Sequence, residues 1–323
     1  MTFLNTPLIR KLILFFAAAM LSVSAMAADF NQTQHLANQG DSNAQNSIGW
    51  MYDQGEGVLQ DYAKAREWYE KAANQGNASA QFNLGLMYYQ GKGVLQDYAK
   101  ARKWYEKAAN QGNADAQILI GGMYYKGEGV RQDYAKARQW IQKAANQGNS
   151  HAQHSIGWMY EKGEGVLQDY AKARQWIQKA ANQGNTDAQF NLGVMYDQGE
   201  GVLQDYAKAR QWYEKAANQG NTDAQFNLGV MYYKGEGVRQ DYAQAAQWYE
   251  KAANQGNADA QFNLGVMYDK GEGVRQDYTK AREWYEKAAN QGNSHAQKRL
   301  GVMYFKGEGV RQDYTKAREW YEK

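Results

Sequence analysis

At 323 residues, 22% charged and 43% hydrophobic, the chain has the composition of a folded protein and lies outside the disordered class. It contains no cysteine, which excludes disulfides, thiolate catalysis and cysteine metal sites. Its net charge of +3 comes without a basic stripe, since Lys and Arg alternate with Glu and Asp, and this argues against a nucleic-acid partner.

Residues 1–27 have the three-part design of a secretory signal: Arg10 and Lys11, then an apolar stretch from Leu12 to Val23, then Ala25-Met26-Ala27 with small residues where signal peptidase needs them. The stretch is short for a membrane span of about 20 residues, so cleavage is expected after Ala27. That places the mature chain in the periplasm or outside the cell and lowers its net charge from +3 to +1. No second apolar run follows, so no membrane span is expected after cleavage.

The remaining chain holds all 33 Gly, 10 Trp and 25 Tyr, with a single Pro in the whole sequence. Glycine at that level beside so many aromatics is not a linker composition, and something periodic must place these residues. Copies of one unit begin at Ala44, Ala80, Ala116, Ala152, Ala188, Ala224, Ala260 and Ala296, each 36 residues apart. Every methionine beyond the signal, from Met51 to Met303, occupies one phase of that period. Residues 28–43 match the back half of a unit through Leu36-Ala37-Asn38-Gln39-Gly40 and are expected to cap the array.

Each unit reads as two helices. In the copy from Ala260, the first helix has Asn257 as N-cap, Asp259 in its first turn and the apolar set Ala260, Leu264, Met267 and Tyr268. Gly271-Glu272-Gly273 ends it, because glycine adopts backbone angles that strain other residues. The second helix starts at the N-cap Asp277, stops at Gln291-Gly292, and is expected to bury Tyr278, Ala281, Tyr285 and Ala288 with Trp284 beside them. Glu283 and Lys287 have the spacing of an exposed helical ion pair. Gly265 lies inside a helix, where glycine costs roughly 1 kcal/mol relative to alanine, so its recurrence in every copy predicts a close helix contact. Met267 and Trp284 are expected to fill the space between neighbouring units.

The pattern Ala-Gln-x-x-Leu-Gly-x-Met-Tyr, Gly-x-Gly-Val, Asp-Tyr-x-Lys-Ala-x-x-Trp-Tyr-x-Lys-Ala-Ala-x-Gln-Gly resembles the Sel1-like repeat family, relatives of tetratricopeptide repeats, over Ala44 to Lys323. The resemblance implies an all-α fold, an α/α solenoid of eight 36-residue helix-turn-helix repeats wound as a right-handed superhelix. It implies a non-catalytic adaptor role in protein complexes, including exported bacterial proteins of the envelope or of host contact. One departure is that the family often has Pro after Gly-x-Gly-Val. Here Leu59, Leu95, Leu167 and Leu203 or Arg131, Arg239, Arg275 and Arg311 stand there, which predicts a less rigid loop.

Candidate chemistry is sparse. His151 and His154 share one helix face and could hold a metal, but His151 occupies a phase that accepts Ser79, Asp115 and Asp187, a tolerant polar position. The Gly-x-Gly turns lack the further residues of a dinucleotide or phosphate loop, and no cofactor is expected. Positions fixed by packing should be alike in every copy, so functional signal lies where copies disagree. The position after the first-helix Tyr is Asp53, Tyr89, Tyr125, Glu161, Asp197, Tyr233, Asp269 and Phe305, and His154, Trp50 and Trp158 are further departures. By resemblance, first helices line the concave side, and such aromatic and acidic residues suit a protein or peptide partner. The alternative is a β-lactam-binding or hydrolysing enzyme like some cysteine-rich secreted relatives, whose cysteines this chain lacks and which nitrocefin turnover would reveal. The aromatic end at Trp320-Tyr321 predicts weak self-association through the last repeat.

Overall fold

The computed structural model describes residues 29–323, and the expected signal segment and its cleavage point lie outside them. Among the described residues every regular element is a helix, and the chain is an all-α solenoid of helix pairs. No helix among them is long and apolar enough to cross a membrane. The helices group into two compact units, one ending at Ala152 and one running from Gln153 to Lys323.

In the first unit, helical residues 29–38 (α1) precede three pairs: α2 (Ser42–Gln54) with α3 (Tyr62–Asn74), α4 (Ala78–Gln90) with α5 (Tyr98–Asn110), and α6 (Ala114–Lys126) with α7 (Tyr134–Asn146). The boundary between units falls inside α8 (Ser150–Lys162). The second unit continues with α9 (Tyr170–Asn182), α10 (Thr186–Gln198), α11 (Tyr206–Asn218), α12 (Thr222–Lys234), α13 (Tyr242–Asn254), α14 (Ala258–Lys270), α15 (Tyr278–Asn290), α16 (Ser294–Lys306) and α17 (Tyr314–Glu322).

The caps lie where the sequence places them. Asn257 accepts from the backbone N–H of Ala260, and Asp277 from those of Thr279 and Lys280, satisfying donors that a helix start leaves open. Gly271 and Gly273 take φ of 74° and 70°, the left-handed conformation that closes the turn. The loop is then pinned by Gln276, whose Nε2 donates to the Asp269 carbonyl at 2.8 Å. Gln96 and Gln240 close loops carrying Leu95 and Arg239 in the same way, so closure does not depend on the residue after valine. Leu59, Leu95, Leu167 and Leu203 project almost fully into solvent.

Gly265 is a contact point. A Cβ there would stand 2.7 Å from Cδ1 of Tyr285 and 3.3 Å from the Ala281 carbonyl, and Gly85 meets Tyr105 at 2.7 Å in the first unit. The paired tyrosine is fully buried, so the small residue and the large one are one packing device. Met267 is buried, and Trp284 packs against the same cluster.

Two expectations are corrected. Tyr278 is 37% exposed and does not join the buried stripe of Ala281, Tyr285 and Ala288, because as the first residue of its helix it stands at the rim beside Gln276, which donates to its hydroxyl. Lys287 lies over the Trp284 ring at 3.8 Å rather than reaching Glu283, and the helix's ion pair joins Arg282 to Glu286 at 3.8 Å. The ring face offers the ammonium a partner three residues away on the same helix.

Stacking also uses a buried polar ladder. In the first unit Gln45 Nε2 donates to the Ala37 carbonyl at 3.1 Å, and its Oε1 accepts from Gln75 at 2.7 Å. Gln81 repeats this with Ala73 and Gln111. In the second unit Gln189, Gln225 and Gln261 do so with Ala181, Ala217 and Ala253. Each first-helix glutamine thereby ties the end of the preceding second helix to the end of its own.

Replacing Gly265 with alanine is expected to destabilise the fold by about 1–3 kcal/mol through overpacking, despite alanine's better helix propensity. Gly122 lies in α6 with no heavy atom within 4 Å of where its Cβ would stand, so Gly122→Ala should stabilise by about 0.5–1 kcal/mol. Urea unfolding midpoints of the two variants should move in opposite directions.

Candidate interaction face on the first helices

The position after the first-helix tyrosine lies in the last turn of its helix, two residues after the buried methionine and beside the following loop. In the first unit Trp50 is 44% exposed, and Asp53 accepts from Gln54 at 3.0 Å. Tyr89 is more engaged: its hydroxyl donates to Glu128 of the next repeat at 2.7 Å, and its ring packs 5.1 Å from Tyr98. The hydrogen bond to Glu128 and burial push its hydroxyl up to about 12. Tyr125 packs against Tyr134 with ring centroids 5.0 Å apart.

In the second unit His154 lies 2.8 Å from Asn191, and no group of three His, Cys, Asp or Glu among the described residues is arranged to hold a metal. Trp158 and Glu161 line one cavity of about 380 Å³ with Asn191 and Glu200. Glu161 accepts from Lys162 at 2.6 Å. Asp197 is half-buried and accepts from the Tyr213 hydroxyl at 3.4 Å. Burial raises its carboxyl above the ordinary aspartate value, and the nearby Glu236 charge adds to this against the Tyr213 hydrogen bond. Tyr233 repeats the geometry of Tyr89, donating to Glu272 at 2.8 Å. Phe305 is 53% exposed and packs edge-on against Tyr314.

Asp269 differs from the others. It is only 9% exposed and is held by Arg299, whose Nε and Nη2 donate to its two carboxylate oxygens at 2.8 and 2.7 Å, while Tyr285 donates at 3.2 Å. Burial works against the Arg299 charge, but the bonds to Asp269 outweigh it and hold the guanidinium above its ordinary value. Asp269 and Arg299 form part of the wall of a cavity of about 800 Å³ that also includes Phe262, Tyr278, His295 and Lys298. Sequence comparison of the copies picks out Asp269 but not Arg299, although Arg299 replaces the asparagine found at Asn191, Asn227 and Asn263. That break in the pattern was the available signal.

The Sel1 repeat model matches eight consecutive segments, residues 42–77, 78–113, 114–149, 150–185, 186–221, 222–257, 258–293 and 294–323. Among solved structures, the chain is similar to a protective antigen present in uropathogenic Escherichia coli strains that displays an SLR fold, with 43% identity, a TM-score of 0.88 and coverage of 91% of this chain. The chain spans 63% of that antigen's length. It is also similar to a Sel1 repeat protein from Oxalobacter formigenes, with 36% identity, a TM-score of 0.73 and coverage of 93% of this chain and 89% of that one. No curated protein matches the chain.

Replacing Arg299 with Ala should destabilise the protein by about 1–3 kcal/mol, because Asp269 is left buried with the Tyr285 hydrogen bond but no opposite charge, and adding Asp269→Asn should recover part of the loss. For Asp197 the sign is opposite. A carboxyl raised in the folded state favours folding while protonated, and that contribution is lost as pH rises through the folded value. Asp197→Asn should therefore raise the melting temperature at neutral pH, with the gain shrinking toward pH 3.

Proposed function

The chain belongs to the Sel1 repeat family, and we propose that it is an exported, non-catalytic scaffold of the bacterial envelope or exterior that binds a protein partner through its first helices. The observation that carries this reading is a contrast within each repeat. The methionine of the Met-Tyr pair is buried in every copy, while the position two residues later changes among Asp, Glu, Tyr and Phe. Packing explains the first and not the second. Partly exposed Trp50, Trp158, Tyr89, Tyr125 and Tyr233 supply rigid aromatic area, the kind of surface that binds at low entropic cost. Export rests on Arg10, Lys11, the run from Leu12 to Val23 and Ala25-Met26-Ala27. The similarity to a protective antigen agrees with an exposed location.

The test uses the full chain expressed with its leader, then purified and immobilised. Its N-terminus should read Ala28, and it should retain a specific partner from envelope extract or host-surface protein that is lost when Tyr89, Tyr125 and Tyr233 become Ala. A folded protein that retains nothing specific, or retains the same partner after the substitutions, overturns the reading.

A further inference from the structure

The junction between the seventh and eighth repeats contains its own cationic occupant. Asp269 and Glu308, from successive repeats, both accept from Arg299, the latter at 3.3 Å. The same two repeat positions are both acidic at two earlier junctions of the second unit, Glu161 with Glu200 and Asp197 with Glu236. There the residue corresponding to Arg299 is Asn191 or Asn227, which has no charge to offer.

The correspondence is spatial as well as numerical. Tyr213 lies against Asp197 and Asn227 as Tyr285 lies against Asp269 and Arg299. Glu161, Asn191 and Glu200 line one cavity, with Trp158 in its wall. At another junction of this unit the loop acid meets a tyrosine instead, Tyr233 donating to Glu272, and no second negative charge is present. Lys162 and Lys234 reach Glu161 and Glu236 at 2.6 and 3.6 Å. Such a lysine does not exclude a guanidinium, because Glu308 takes Lys306 at 3.6 Å and Arg299 together.

We propose that Glu161 with Glu200, and Asp197 with Glu236, are tandem guanidinium sites that receive arginine side chains from a basic, extended segment of the partner protein. The proposal rests on the scaffold reading and narrows the partner's chemistry. Two carboxylates held together oppose each other's charge, and a planar cation with several donors relieves both at once. Arg299 shows that this fold accommodates that group at these positions, and Trp158 adds an aromatic face suited to guanidinium stacking. Asp269 and Glu308 form no third site, because the chain itself fills it.

The experiment measures binding of a fluorescein-labelled Gly-Ser peptide carrying three arginines, by fluorescence anisotropy, against the same peptide with citrulline in their place. The arginine peptide should bind at least tenfold more tightly, and more weakly as salt rises. Asn227→Arg, which copies Arg299 into the second site, should weaken binding severalfold without lowering the melting temperature. Glu161→Gln with Glu200→Gln should do the same at the first. Equal binding of the citrulline peptide, or unchanged binding by the folded Asn227→Arg protein, overturns the proposal. If the peptide fails while a captured partner is still lost from the tyrosine variant, this inference falls and the scaffold reading stands. If nothing is captured either, both fall.

Discussion

An α-helix ends with carbonyl groups that have no partner within the helix, and stacking helix pairs hides those ends from water. In this chain backbone N–H groups of the following turn take those carbonyls, as Gly184 does for Ala181, and a buried glutamine of the next first helix adds a second bond across the stack. Gln189 donates to the Ala181 carbonyl at the end of the preceding second helix and accepts from Gln219 at the end of its own. A single side chain thus ties two helix ends through a third helix, and its burial makes loss of either bond costly. The glycine contact within each pair, made to tyrosine at Gly265 and to Ile141 and Ile177 at Gly121 and Gly157, works beside it, setting how closely the two helices approach. With both distances fixed, each repeat can differ elsewhere without disturbing its neighbours.

That freedom is used at the ends of the first helices, where residues such as Tyr89 and Tyr233 meet the loop glutamate of the next repeat. The chemistry of each meeting follows from the two residues present. Tyrosine donates a hydrogen bond, as Tyr89 does to Glu128 and Tyr233 to Glu272. Paired acids need a cation, which Arg299 supplies for Asp269 and Glu308. A regular framework therefore presents an irregular series of side-chain contacts along its first helices. Family membership gives the scaffold role its general support.

Much of the fold was legible because its signals are local. Asn257 and Asp277 act on backbone groups two or three residues away, and Gly271 and Gly273 on their own φ angles. The close contact at Gly265 was also legible, since an interior helix glycine repeated in every copy needs a steric reason. The glutamine ladder was not: on a helix a glutamine reads as a surface residue, and its partners lie 8 residues back and 30 residues ahead. The engagement of Asp269 was hidden likewise, because Arg299 comes from another helix 30 residues on.

The period, the helices, their caps and turns, and the positions that vary are thus legible from the chain alone, since each is set by spacing and by groups within a turn or two of chain. Which variable residues are already engaged, and what lies opposite them, emerges from the packing of distant helices. Tyr278 belongs to an apolar helical pattern yet stands at a rim, and Asp269 looks like a free surface acid yet is buried in an ion pair. Exposure and charge compensation depend on groups that distant segments bring to the same place, and only packing makes those segments neighbours.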